Sequence, residues 1–158
     1  DVGTISVEGT DLTKNSNNSY TASASAMNPQ GINYTVPVDW SVGGGNGFSA
    51  FTESISTNFP TAGAVSSGGT VDKSDGYTLS TAGISGADSV LFTIGNVTKT
   101  LSGSTTSYTF TSAELNGLAN GSNVASIAPY NFSNKTIASK EIYFVNEFVV
   151  QRNVTIQD

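Results

Sequence analysis

The chain has 158 residues, carries a net charge of −6 and has a pI near 4.3, with only 11% of residues charged. That charge fraction is well below the roughly 25% of an ordinary globular domain, and Ser, Thr, Asn and Gly occupy the surface instead. Six basic residues against twelve acidic ones leave nothing from which to build a basic patch, so nucleic acid and anionic membranes are excluded as electrostatic partners.

The composition also limits the chemistry. There is no Cys and no His, which removes disulfides, Ser-His-Asp and Cys-His triads, and zinc sites of Cys or His type. No apolar run reaches the 18 or so residues of a membrane helix. A domain of this length buries about 68–70% of its unfolded surface and needs no covalent staple. With the uncharged polar surface, these features lead us to expect an exported protein, extracellular or at a cell surface, with Asp1 as a mature terminus after processing.

Taken in chain order, the dominant signal is alternation of apolar and polar residues, which marks half-buried strands. TISV and SYTASASA open the series, the latter with Tyr20, Ala22, Ala24 and Ala26 on one face. In NYTVPVDWSV, Tyr34, Val36, Val38, Trp40 and Val42 share a face, and Pro37 predicts an edge strand or a bulge. GYTLS, SVLFTI, SYTFT and SNVASIAPY follow. EIYFVNEFVVQRNVTIQ reads as two strands hinged near Asn146 and Glu147. Breakers such as TKNSNNS, NPQG, GGGNG, SSGG, SGAD, LSGSTT and NGLANGS separate these runs. Regular strand spacing with Gly, Asn and Ser turns predicts an all-β sandwich or barrel. The one helical signal is TSAELNGL, where Thr111 and Glu114 have capping-box spacing.

The glycine run GGGNG follows a strand, but FSAFTESIS after it has no helical apolar face. A phosphate-cradling loop must open a helix. Asn46-Gly47 is instead a hairpin turn, because both residues tolerate positive φ. A soft boundary near FPTAGAVSSGGTVDKS divides the chain into an N-terminal strand extension, residues 1–65, expected to pack on a main domain of residues 66–158.

The main domain carries TTSYTFTSAELNGLANGSNVASIAPYN, residues 105–131. Tyr108 and Phe110 suit a strand with an aromatic pair, Leu118 and Gly121 suit the turn after it, and GYTLSTAGISGADSVLFTIG suits the preceding strand pair. Over roughly 90 residues this part resembles fibronectin type III and related immunoglobulin-like modules. Val124 stands where those modules place a tyrosine. The resemblance implies an immunoglobulin-like antiparallel β-sandwich outside the cell, used for display, spacing or binding, as in bacterial surface lipoproteins and adhesins. It implies no chemistry, since such a fold does not fix function.

Carboxylates are the remaining catalytic groups, and a glycosidase needs two of them flanking a sugar. Asp39 and Glu53, on either side of one hairpin, are the best such pair, although a solvated Asp39 on the polar face of its strand is the plainer reading, and we assign no catalytic residue. Calcium is the only cofactor considered, for VDKSDGY, where Asp72, Ser74 and Asp75 offer oxygens. The spacing is not that of an EF-hand, and an Asp-Gly turn accounts for the same residues. Sugar binding needs exposed rings, and the candidates are Trp40, whose apolar neighbours equally predict core packing, and Tyr130 with Phe132 in the loop APYNFSNK. Sequons occur at Asn17, Asn33, Asn96, Asn120, Asn131, Asn134 and Asn153. DVGTISVEG and EFVVQRNVTIQ carry no Lys and could complete a neighbouring sheet, as donor strands do in filaments.

The expectation is therefore a non-enzymatic structural or adhesive module of a cell-surface protein or filament. It would meet a protein partner, or itself through its terminal strands. A carbohydrate-binding module using exposed aromatics and a small glycan-active enzyme are the alternatives.

Overall fold

The structure, a computed structural model, describes residues 1–26, Pro29 and 31–158. Asn28 and Gln30 of the NPQG breaker lie outside the described residues. The fold is all-β, with one short helix.

The first strands in chain order are β1 (Ile5–Val7), β2 (Thr10–Asp11), β3 (Thr13–Lys14), β4 (Tyr20–Thr21), β5 (Val38–Val42) and β6 (Phe51–Ile55). β2, β1, β5 and β6 lie side by side in that order as an antiparallel sheet, while β3 and β4 pair separately. The alternation in VDWSV sends Val38 and Val42 inward, at 3% and 6% exposed, while Asp39 and Ser41 face out. The hairpin from β5 to β6 closes at Asn46-Gly47, both at positive φ (49° and 80°), with Gly45 and Phe48 exchanging both backbone hydrogen bonds. That is a two-residue turn whose twist matches its strands.

Two expectations for this region change. β5 is flanked on both sides, by β1 and β6, so it is not an edge strand. Pro37 sits one residue before it, where its missing N–H removes no ladder bond. Tyr34 and Val36 stay outside the strand and are exposed. Of SYTASASA only Tyr20 and Thr21 form a strand, because a small-residue face offers little apolar area to bury.

The chain continues through β7 (Thr61–Ala62), β8 (Thr70–Asp72), β9 (Tyr77–Ser80), β10 (Ile84–Ser85), β11 (Ser89–Ile94), β12 (Val97–Ser102) and β13 (Ser107–Phe110). After α1 (Ser112–Leu115) come β14 (Gly121–Ile137), β15 (Lys140–Glu147) and β16 (Val150–Gln157). β12, β11, β14, β16 and β8 form the larger sheet in that order, and β15 also pairs with β14. β16 and β8 run parallel, whereas β11–β12, β11–β14 and β14–β16 are antiparallel. β9 and β13 pair with each other and direct Tyr77, Leu79 and Phe110 into the core that the larger sheet fills with Val71, Val90, Phe92, Ile94, Ala125, Ile127, Val154 and Ile156. Eight of these eleven core residues, including Phe92 and Phe110, are 0% exposed. Burying each large side chain stabilises the fold by roughly 1.5–3 kcal/mol.

Leu115 of the helix and Leu118 just after it close one part of this core. Its capping box forms as the sequence predicts: the Thr111 hydroxyl accepts from the Glu114 N–H, and the Thr111 N–H donates to the Glu114 carboxylate.

Pro129 explains why the last strand is broken in two. It lies inside β14, and its carbonyl accepts from the N–H of Phe148 at 3.0 Å. Residues 129 and 148 hold the same register that β14 keeps with β16, where Gly121 faces Ile156. Opposite residues at a hydrogen-bonded position of an antiparallel ladder exchange two bonds, and proline can give only one half of that exchange. The pairing therefore lapses at Phe148 and Val149, two residues beyond the hinge expected at Asn146 and Glu147.

The chain divides into two compact units that are not consecutive halves. One comprises residues 1–58 with 133–144, and the other residues 59–132 with 145–158. The tip of the β14–β15 hairpin, within residues 133–144, groups with the first sheet. Phe144 lies edge-on to Trp40 with ring centroids 5.8 Å apart, and Lys135 pairs with Glu53.

Candidate functional site

A hollow of about 470 Å³ lies on the first sheet, against the polar rows of β1, β5 and β6. The register builds it. Ser6, Ser41 and Thr52 form one rung across β1, β5 and β6, and Asp39 and Ser54 form the next across β5 and β6. Every outward side chain here is short, so the floor is low, and Gly9 keeps one wall open. The Ser54 hydroxyl donates to Asp39. Glu8, at φ 49° in the turn after β1, locks the rim: its N–H donates to the Asp39 carbonyl at 2.9 Å, and its carboxylate accepts from the Asp39 N–H at 2.8 Å and from Thr35 at 3.3 Å.

No Lys or Arg lines the hollow. Its chemistry is that of hydroxyls beside a carboxylate, which can exchange hydrogen bonds with a neutral polar ligand and repels an anion.

Asp39 and Glu53, the two carboxylates that the sequence singles out, both border the hollow, but the register sets their side chains apart. Trp40 faces Glu53 across the ladder and Asp39 faces Ser54, so Asp39 and Glu53 point to opposite faces of the sheet. They cannot flank one sugar, and Glu53 is already paired with Lys135. The signal was available in the sequence. A two-residue turn at Asn46-Gly47 makes each pair of opposite residues sum to 93, which puts Asp39 and Glu53 one position out of step.

Trp40 borders the hollow and is half-buried, with its ring edge-on to that of Phe144. Tyr130 lies within β14 opposite Ser89 and is half-buried, so the expected loop APYNFSNK is strand instead. Phe132 is in the same strand and remains 46% exposed. Asp72, Ser74 and Asp75 form a turn in which the Asp72 carboxylate accepts from the Ser74 N–H at 3.0 Å and the Ser74 hydroxyl at 2.7 Å. These bonds hold the Asp72 carboxyl below its ordinary pKa. Among the described residues there is no group of three or more His, Cys, Asp or Glu side chains that could hold a metal. Of the sequon asparagines, Asn17, Asn33, Asn96, Asn120, Asn134 and Asn153 are exposed. Asn131 is 5% exposed, and its Nδ2 donates to the Gly86 carbonyl at 2.7 Å.

Sequence reasoning missed a charged cluster in the second unit. Lys99 lies 2.5 Å from Glu114, and the Tyr108 hydroxyl donates to the same carboxylate at 2.9 Å. The Lys99 ammonium, then the Thr111 N–H, are the main causes that lower the Glu114 pKa to about 2. Glu114 also raises the pKa of Lys99, and burial followed by Glu114 raises that of Tyr108. Only the capping-box part of this cluster is local in sequence. Lys99 arrives from another strand, which no spacing rule reveals.

The terminal strands are each paired on two sides within their own sheets, β1 between β2 and β5, and β16 between β14 and β8. No helix among the described residues is long and apolar enough to cross a membrane. Comparison with known proteins finds no matching family model, no matching curated protein and no matching solved structure.

Proposed function

We propose that this chain is a non-enzymatic extracellular module, structural or adhesive, of a cell-surface protein or filament, and that its second unit is an immunoglobulin-like sandwich. What supports the fold reading is the shared core of the β9–β13 pair and the larger sheet, with a capped helical turn between β13 and β14. What carries the functional reading is a group of exposed apolar side chains in the second unit. Phe132 is 46% exposed, Val145 56%, Phe148 42% and Val149 45%. All four lie on β14 and β15 or at the break that Pro129 causes. Exposed apolar clusters on a polar surface mark sites of protein contact. Apolar burial against a partner would do the work, without bond-making.

In a filament, terminal strands would have to be exchanged between copies, since β1 and β16 already fill their places at home. Particle size measured by light scattering and negative-stain microscopy across a concentration series tests this reading. Assemblies that grow with concentration and shrink in Phe148→Ser support self-contact through the apolar cluster. A monomer at all concentrations removes the filament and leaves contact with a different protein.

The hollow on the first sheet favours a second reading, carbohydrate binding by hydroxyls rather than by aromatic platforms. Glycan-array binding that is lost in a Ser41→Val, Thr52→Val double variant would support it. Binding that survives the double variant would reject this site.

A further inference from the structure

The first sheet runs from β2 to β6 and the larger one from β12 to β8, with β15 as a further strand of eight residues paired on one side to β14. On one side of each sheet the edge is short, two residues in β2 and three in β8. On the other side lie β6, with five residues, and β12, with six. Among the described residues no strand pairs with the outer edge of either. A free edge of that length is a template for another chain.

Both long edges have the same unusual feature. In β6 the inward-facing residues are Phe51, Glu53 and Ile55, opposite Val42, Trp40 and Val38. In β12 they are Val97, Lys99 and Leu101, opposite Ile94, Phe92 and Val90, all three of which are 0% exposed. Each edge strand thus sets one charged side chain into the middle of an otherwise apolar inner row. Each charge is met from within its own unit, Glu53 by Lys135 and Lys99 by Glu114. Each also keeps access to water, with side-chain exposures of 21% for Glu53 and 40% for Lys99.

On the outer side of each strand no neighbour strand among the described residues flanks the charge. Strand addition there would cover the charge and strip its hydration, and desolvating an ion is costly even when it is paired. In the free protein the same charge is tolerated because a long side chain at an edge can reach solvent. We infer that Glu53 and Lys99 block β6 and β12 against pairing with a second copy of this chain. The inference is independent of the adhesive reading, since contact through the apolar cluster at Phe148 uses neither edge. It also narrows the filament: strands shared between copies would not come by addition at β6 or β12.

The test compares Lys99→Leu, Glu53→Val and Thr98→Leu by sedimentation velocity over a concentration series. Each is made in the Phe148→Ser background, so that contact through the apolar cluster does not contribute. Thr98 lies on the outward face of β12, so Thr98→Leu adds the same apolar side chain but leaves Lys99 in place. Circular dichroism confirms that each variant is folded. The expected result is that Lys99→Leu and Glu53→Val associate at concentrations about tenfold or more below those at which the background does, while Thr98→Leu does not. Glu53→Val tests the second edge by itself should Lys99→Leu fail to fold. Folded Lys99→Leu or Glu53→Val that stays monomeric would overturn the inference for its edge. Association of Thr98→Leu equal to that of Lys99→Leu would overturn it for β12, because added stickiness alone would then be enough.

Discussion

Two glycines of the second unit separate backbone conformation from space. Gly76 and Gly103 both have positive φ, 78° and 63°. A Cβ on Gly103 would meet nothing within 4 Å, whereas one on Gly76 would lie 2.7 Å from the Phe110 carbonyl oxygen. Gly103→Ala should pay the left-handed penalty of about 1–2 kcal/mol, offset by about 0.4–1 kcal/mol from the stiffer unfolded chain. Gly76→Ala carries the same two effects and a collision as well. The oxygen cannot retreat freely, because Phe110 is 0% exposed and paired with Tyr77. Displacing packed core structure costs about 1–3 kcal/mol, so Gly76→Ala should be the less stable of the two by that amount. Urea unfolding followed by far-UV circular dichroism measures the difference. Hydrogen exchange at the amides of β9 and β13 assigns it to the second unit. A difference under about 0.5 kcal/mol would refute the claim that β13 is held rigidly over this turn.

Other outcomes follow from the same geometry. Because the Glu114 pKa falls from 4.5 to about 2 on folding, its ionised form stabilises the fold above the unfolded value, and that contribution is lost as pH falls from about 4.5 toward 2. Glu114→Gln should therefore flatten the acid limb of thermal stability over that window, and an unchanged limb would show that Lys99 and the cap do not hold the charge. A double-mutant cycle of Trp40→Leu and Phe144→Leu should return a coupling of about 0.5–1.5 kcal/mol, the range for edge-to-face rings, and zero coupling would refute their contact. Pro129→Ala restores an N–H opposite Phe148, so the new amide should be strongly protected from exchange in NMR. Fast exchange there would mean that proline is not what interrupts the last strand.

Local signals were legible in the sequence, while signals that depend on distant partners were not. Asn46-Gly47 and the pair Thr111 and Glu114 were readable because a turn and a cap satisfy their own backbone groups within four residues. Residues 33–37 alternate as well as residues 38–42 do, yet only the latter find neighbours on both sides, in β1 and β6. Alternation states which face a residue would take and does not state whether a partner strand is there. The same limit hid β14, whose polar stretch NFSNKT reads as loop but pairs with β15. At the candidate site, the polar row of β5 was legible but the hollow was not, because its floor needs Ser6 from β1, more than thirty residues earlier in the chain.

The composition of the first unit has a consequence for biosynthesis. Its sheet is made from residues within the first 58, but Phe144 and Lys135, which meet Trp40 and Glu53, come from residues 133–144. A ribosome adding about 5–20 residues per second needs about 4–15 s to cross the intervening segment 59–132. For that interval the nascent sheet has its apolar face, with Val7, Val38, Trp40, Val42 and Ile55, without the hairpin that later meets it. The segment made meanwhile supplies much of the second unit's core, so the two units are completed in overlapping order and the first sheet's apolar face is open to chaperones for those seconds.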